Sequence, residues 1–324
     1  MAKFSLDTAL KNVQKVIKEE VKTLSEMEPA GLYEPVRYTL DLGGKRLRPL
    51  ILWLTARTID PKAKLSDASP LMKAVEVFHN FSLIHDDLMD DAPIRRGKPT
   101  VYKKWNANQA VLSGDAMLIE AYTALSGARP ELVPVYLTAF NSMAAAVCIG
   151  QQMDMEYESE PLSEVDMEDY FQMISYKTGA LLVGSSILGA ILGGIEEEEL
   201  DHLQSAVSAF GAAFQVMDDY LDVFSDVEEF GKRHGGDILE GKKTFLLIDA
   251  YAKEPEAVER ILALEDDEEK IKAMTALYKE VEADKDALSL VKYLTDQSGE
   301  MLRGLPYDTS ILQELFVMLL SRHS

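Results

Sequence analysis

Two apolar stretches of this chain each end in aspartates set at one spacing: Asp86, Asp87 and Asp90 in FHNFSLIHDDLMDD, and Asp218, Asp219 and Asp222 in FQVMDDYLDVF. On a helix, residues four apart share a face about one turn, roughly 6 Å, from each other, so Asp86 and Asp90 repel across that gap with Asp87 beside them. Carboxylates near a helix C-terminus also oppose the macrodipole. A solvated acidic helix end stays open for either copy alone. Two copies on apolar helices call for a neutralising partner, and a hard divalent cation with oxygen ligands fits best. Arg95 and Arg96 follow the first cluster within a turn or two. Guanidiniums beside metal-binding carboxylates suggest a diphosphate, because metal and arginine can share the same phosphoryl oxygens.

Helical periodicity runs from end to end and strand-like alternation is hardly seen, so the expected class is all-α with no sheet. With 324 residues, 47% of them apolar, the chain can bury a large core, and nothing forces a division, so one domain over 1–324 is expected. Helices are expected at about 5–27, 33–42 and 46–58, then from Asp67, Ser69 and Pro70 up to the first acidic cluster. Further helices are expected at 107–127, 131–156, 164–193 and 197–226, and again through 245–323, read as scaffold and surface. Residues 92–106, with Pro93, Gly97 and Pro99, and the glycine-rich 227–244 are expected as loops.

The formal charge of −22 disfavours nucleic acid or an anionic membrane as a resident partner. Any anionic substrate must then be held by local clusters of Lys and Arg working against the overall field. Cys148 is the single cysteine, which forbids an internal disulfide and suits a reducing cytoplasm. The amphipathic N-terminal segment lacks the apolar core of a signal peptide. The most apolar run, 180–195, is short for a membrane span and broken by Ser185 and Ser186, so a helix buried among helices is expected and no stable membrane insertion.

Two more stretches carry charge in informative places. GGKRLRP, residues 43–49, sets Lys45, Arg46 and Arg48 at a helix start, where backbone amides and cations together attract an anion; a basic surface cap is the alternative. SYKTG, residues 175–179, puts Lys177 and Thr178 in the middle of a mainly apolar helix with Gly179 beside them. A buried lysine needs a negative partner, and a mid-helix glycine weakens a helix by up to about 1 kcal/mol relative to alanine; a snorkelling lysine beside a close-packed glycine is the other reading. His79 alone would be a core histidine, and exposed loop lysines such as Lys232 and Lys242 are usually only solvated.

In the order and spacing of these motifs over roughly residues 40–250, the chain resembles the trans-prenyl diphosphate synthases of the polyprenyl synthetase family. The resemblance implies a helix bundle around a central active-site cavity, a homodimer, and condensation of isopentenyl diphosphate with allylic diphosphates. It also implies three Mg2+ ions, with Asp86 and Asp90 ligating one pair, Asp218 the third, and Asp87, Asp219 and Asp222 acting through water or from behind. By the same resemblance, Lys45, Arg48, His79 and Arg96 hold isopentenyl diphosphate. Arg95, Lys177 and Lys232 contact the allylic diphosphate, Lys242 is a further phosphate-binding lysine, and Thr178 and Gln215 face the reacting carbons.

Counting back from Asp86, Ser82 and Phe78 lie one and two turns down the same ridge with Phe81 alongside. In the resembled family the residues four and five before the first aspartate act as the floor for the growing tail. A bulky Phe81 with a small Ser82 implies an intermediate product of fifteen to twenty carbons, geranylgeranyl diphosphate being slightly favoured over farnesyl; ordinary core packing is the alternative. A terpene cyclase would share the helices and the first acidic cluster, but needs no second diphosphate site and would carry an Asn/Ser/Glu motif where DDYLD stands. A phosphohydrolase built on His85 and Asp86 has only five histidines to draw on, and a non-catalytic regulatory subunit would be expected to have lost the acidic motifs.

Overall fold

The computed structural model describes residues 4–225 and 235–321. Its elements are helices throughout, apart from one two-residue ladder, so the class is all-α as expected. The chain divides into two compact units: Met1–Ser142 with Gly184–Asp201 and Pro306–Leu312, and Met143–Val183 with His202–Leu305 and Gln313–Ser324.

The first unit holds α1 (Leu6–Ser25), α2 (Ala30–Asp41), α3 (Leu47–Ile59), α4 (Leu65–Met89), α5 (Val101–Lys104), α6 (Ala107–Ser126) and the start of α7 (Val133–Ser159). The Ser5 hydroxyl caps α1 by accepting from the Thr8 amide, and Ala9, Val13, Val16, Ile17 and Leu24 bury one face at the spacing of a single helical stripe. In α3 the run Leu50–Ala56 is buried all round, which places it inside the unit. The α4 helix packs against α1, α3 and α6, so the first acidic cluster stands at the end of a helix fixed on three sides.

Both α2 and α4 begin earlier than expected, at Ala30 and Leu65, and run through Pro35 and Pro70. Each proline leaves one carbonyl without its helical donor, that of Gly31 or Ser66. Both of those residues are exposed, so water can serve instead. The segment expected as a plain loop at 92–106 contains a hairpin, Ile94–Arg95 with Lys98–Pro99, followed by α5. Its two-residue turn is Arg96–Gly97, with φ of 53° and 71°; two consecutive positive values are what a type I′ turn requires.

The helix expected over 164–193 is continuous over Met167–Gly193 but contains a π-turn, and its residues from Gly184 onward belong to the first unit. Here α8 (Met167–Ile174) leads into a five-residue π-turn, Ser175–Gly179, before α9 (Ala180–Gly193). Then come α10 (Glu197–Phe224), α11 (Gly236–Glu240), α12 (Phe245–Lys253), α13 (Pro255–Leu262), α14 (Asp267–Glu280), α15 (Ala283–Gly304) and α16 (Ser310–Ser321). Part of the second expected loop is thus the helix α11. The Phe210 and Phe316 rings stack with centroids 3.8 Å apart, and the buried Ser298 hydroxyl donates to the Ala206 carbonyl, tying α15 and α16 to α10.

Two helical stretches, Val133–Ser159 and Met167–Gly193, are long and apolar enough to cross a membrane by composition. In the second, 56% of the most apolar window is buried within the structure, which suits a core helix.

Candidate active site

The last turn of α4 delivers the first acidic cluster. Asp87 is buried, Asp86 is half-buried, and Asp90 closes the helix with its amide on the Asp86 carbonyl at 2.9 Å. Arg95, carried back by the hairpin, donates from Nε to Asp87 Oδ1 at 2.6 Å and from Nη2 to Asp86 Oδ2 at 3.3 Å. Burial pushes the Asp87 carboxyl up to about 6; Arg95 opposes this, and the Asp86 and Asp90 carboxylates add to it. Among the described residues no three carboxylate, imidazole or thiolate groups already converge as a ready metal site. The donors on offer are carboxylate oxygens, so a hard cation such as Mg2+ fits them.

A basic cluster lies in the same unit. The glycines at 43 and 44, with φ of 82° and 124°, bend the chain so that Arg46 begins α3 in the left-handed region. Gly44 has a second reason to lack a side chain, since a Cβ there would lie 2.8 Å from Nη2 of Arg96, whose guanidinium also donates to the Gly43 carbonyl. The two motifs GGKRLRP and RRG thereby become one site. His79, half-buried on α4, is held well below its ordinary value, first by burial and then by Arg48, Arg96, Arg95 and Arg46, so it is neutral at pH 7. Burial lowers Arg48 to about 10, which still leaves it charged at pH 7. Lys45 is exposed at the edge of this cluster.

Arg46 belongs to the scaffold. Its Nη1 meets Glu76 Oε1 at 2.6 Å, with side chains only 12% and 2% exposed, and Asn80 Nδ2 donates to the same oxygen at 2.9 Å. Glu76→Ala strands a buried guanidinium and is expected to cost about 3–5 kcal/mol of stability, read from the chemical unfolding midpoint. Glu76→Gln keeps an acceptor and should cost less; a wild-type midpoint in the alanine variant would show that the pair is not structural.

The π-turn organises the site residues of the second unit. On α7, a Cβ at Gly150 would lie 2.1 Å from the Lys177 amide nitrogen, so that glycine lets the two backbones touch. One turn further along α7, Asp154 Oδ2 meets Lys177 Nζ at 2.5 Å. The Thr178 hydroxyl donates to Gln215 Oε1 at 2.8 Å, and Gln215 Nε2 donates to Asp219 Oδ1 at 2.9 Å. Asp219 Oδ2 accepts from the Tyr170 hydroxyl at 2.7 Å and from the Phe245 amide at 3.0 Å. Burial, with Asp237 adding, pushes the Asp219 carboxyl up to about 7 against these donors. Asp222 Oδ2 accepts from the Asp237 amide at 3.1 Å. Asp218 differs: it is half-exposed and has no hydrogen-bond or ion-pair partner among the described residues. Lys242 pairs with Glu240 at 2.9 Å, and Lys232 lies outside the described residues.

Below the first cluster, Phe78 is buried while Phe81 and Ser82 are half-buried. The Phe78 and Phe81 centroids are 5.4 Å apart, and the Ser82 hydroxyl donates to the His79 carbonyl at 2.8 Å. Glu76, Asp154 and Tyr170 were not among the residues singled out from sequence. Only Asp154 had a signal there, as the first charged residue after the uncharged stretch 133–153 of α7.

Carboxylates that suit a hard cation, set on helices together with guanidiniums that need an anion, suit group transfer on diphosphates, and the family match and relatives that follow make the class a prenyltransferase. Residues 29–281 match the polyprenyl synthetase family, and the chain belongs to it. A geranylgeranyl diphosphate synthase of Methanosarcina mazei is 38% identical over 227 residues, 69% of this chain and 69% of that protein. A short chain isoprenyl diphosphate synthase of Methanocaldococcus jannaschii is 39% identical over 241 residues, 74% of this chain and 72% of that one. A crystal structure of a geranylgeranyl pyrophosphate synthase superposes with a TM-score of 0.90 at 38% identity, covering 97% of this chain and 99% of its own.

Proposed function

We propose that the protein joins isopentenyl diphosphate head to tail to allylic diphosphates, giving all-trans products of fifteen to twenty carbons, with geranylgeranyl diphosphate favoured. The carrying observation is that the Arg96 guanidinium lies against Gly43 and Gly44 of the GGKRLRP motif while Arg95, next to it in sequence, meets Asp86 and Asp87, in a chain of formal charge −22. A terpene cyclase needs no such separate anion site.

In this reading Lys45, Arg48, His79 and Arg96 hold the diphosphate of isopentenyl diphosphate, His79 as a neutral hydrogen-bond donor. Lys177, with Arg95, Lys232 and Lys242, holds the allylic diphosphate. Asp86, Asp90 and Asp218 would hold Mg2+, three ions in all, whose positive charge favours departure of pyrophosphate. Asp219, fixed by Gln215, Tyr170 and the Phe245 amide, orients its neighbours, as do Asp87 and Asp222. Thr178 and Gln215 offer oxygen dipoles to the developing allylic cation. Holding isopentenyl diphosphate by its head fixes the double bond for attack, an orientation effect. The departing pyrophosphate takes the proton lost from the new bond. The tail runs down α4 towards Phe78, Phe81 and Ser82.

A homodimer in the cytoplasm accompanies this reading. Val111, Leu112 and Ile119 on α6, and Val135, Ile149 and Met155 on α7, are exposed apolar side chains suited to a second copy, and a monomeric mass in light scattering at micromolar concentration would rule the dimer out. The deciding experiment incubates the protein with labelled isopentenyl diphosphate, Mg2+ and each allylic primer, then chromatographs the dephosphorylated products. No elongation with any primer would refute the function, and products of thirty carbons or more would refute the short-chain assignment.

A further inference from the structure

Resting on the reading of Phe81 as the floor for the product, we propose that Gly114 on α6 is a chain-length determinant, a positioning residue that leaves the room in which His85 braces Phe81. Gly114 lies inside α6 with no left-handed backbone to require a glycine, and alanine there would favour the helix. Its lack of a side chain matters for what it faces. A Cβ on Gly114 would lie 2.2 Å from His85 Nε2 and 2.5 Å from Cδ2, well inside the 3.0 Å that real Cβ atoms keep.

His85 thus occupies a notch in α6, where its Nε2 also lies 3.3 Å from the Val111 carbonyl oxygen. From that notch its ring meets Phe81 edge to face, with centroids 4.8 Å apart at 69°. Phe81 in turn touches Phe78 at 5.4 Å, and Phe78 touches Phe140 at 5.4 Å. Phe78 and Phe140 are fully buried and fixed by the core, whereas Phe81 is half-buried. The aromatic contacts of the Phe81 ring are thus one to the core and one to His85. Ser82 beside it is too small to hold it.

Gly114→Ala leaves the ring of His85 as the part that must move, because α4 and α6 are packed along their lengths. Losing an edge-to-face pair should shift the Phe81 orientation, and with it the share of product at least one isoprene unit longer, by roughly two- to tenfold. The test compares products of the wild type, Phe81→Ala, Gly114→Ala, His85→Ala and the Gly114→Ala/His85→Ala double variant in the complete enzyme. Product ratio is read independently of turnover, which His85→Ala can lower through its neighbour Asp86. Phe81→Ala and Gly114→Ala should both lengthen the product, and the double variant should match His85→Ala, since a methyl group then has no ring to displace. If Phe81→Ala lengthens the product and a folded Gly114→Ala does not, the brace is refuted and the floor stands. If Phe81→Ala itself yields the wild-type product, the floor reading fails and the proposal falls with it. Should Gly114→Ala not fold, an active His85→Ala with wild-type products overturns the proposal.

Discussion

Asp86→Ala and Asp218→Ala are each expected to lower condensation turnover by orders of magnitude while leaving circular dichroism and the unfolding midpoint close to wild type. Asp218 is half-exposed and bonds to nothing among the described residues, so its carboxylate contributes little to the fold. Asp86 is half-buried and takes the longer of Arg95's two contacts, 3.3 Å against 2.6 Å to Asp87. Removing either takes away an oxygen ligand where pyrophosphate charge develops, and such charge stabilisation is a large part of an enzyme's effect. Asp219→Ala provides the contrast, because it strands the Tyr170 hydroxyl, the Phe245 amide and the Gln215 side chain. That variant should lose stability as well as activity. Full activity in excess chelator, or in either of the first two variants, would remove the two-cluster mechanism.

Lys45→Ala and Arg48→Ala are expected to raise the KM for isopentenyl diphosphate with little effect on the allylic substrate, and Lys177→Ala to do the reverse. Losing a charge-assisted hydrogen bond corresponds to roughly 1.5–3 kcal/mol, or about ten- to more than a hundredfold. Arg48 belongs to the first unit's arginine cluster and Lys45 precedes it in the same motif, whereas Lys177 projects from the π-turn of the second and is tied to Asp154. Lys177→Ala also leaves Asp154 without that cation, so its unfolding midpoint must be measured to separate lost binding from lost stability. Similar changes for both substrates in all three variants would mean that the diphosphate assignments are wrong.

The site was legible where its logic is local. Acids four apart on an apolar helix, and cations after two glycines, state their chemistry within one turn of chain. Arg46 shows the limit of such reading: it sits between Lys45 and Arg48 in one basic motif, yet it turns inward to Glu76. The aspartates of DDYLD were equally alike as letters, and packing split them into an open Asp218, an enclosed Asp219 and an Asp222 bound to the Asp237 amide. SYKTG continues an apolar helical pattern, so the sequence carries no sign of the π-turn. Its extra residue is accommodated by contact with α7 at Gly150, which periodicity cannot register.

By itself the sequence determined the helical class, the two acidic clusters and the basic motifs, because helix period and charge spacing are carried by neighbouring residues; the reaction class came from the resemblance of those motifs to the polyprenyl synthetase family. Only the tertiary structure decided which charge meets which. Lys177 finds Asp154 across 23 residues, Arg46 finds Glu76 across 30, and Tyr170 finds Asp219 across 49. Those pairings depend on how helices pack, and burial between packed helices is what makes Asp219 a fixed support while Asp218, one residue away, stays open.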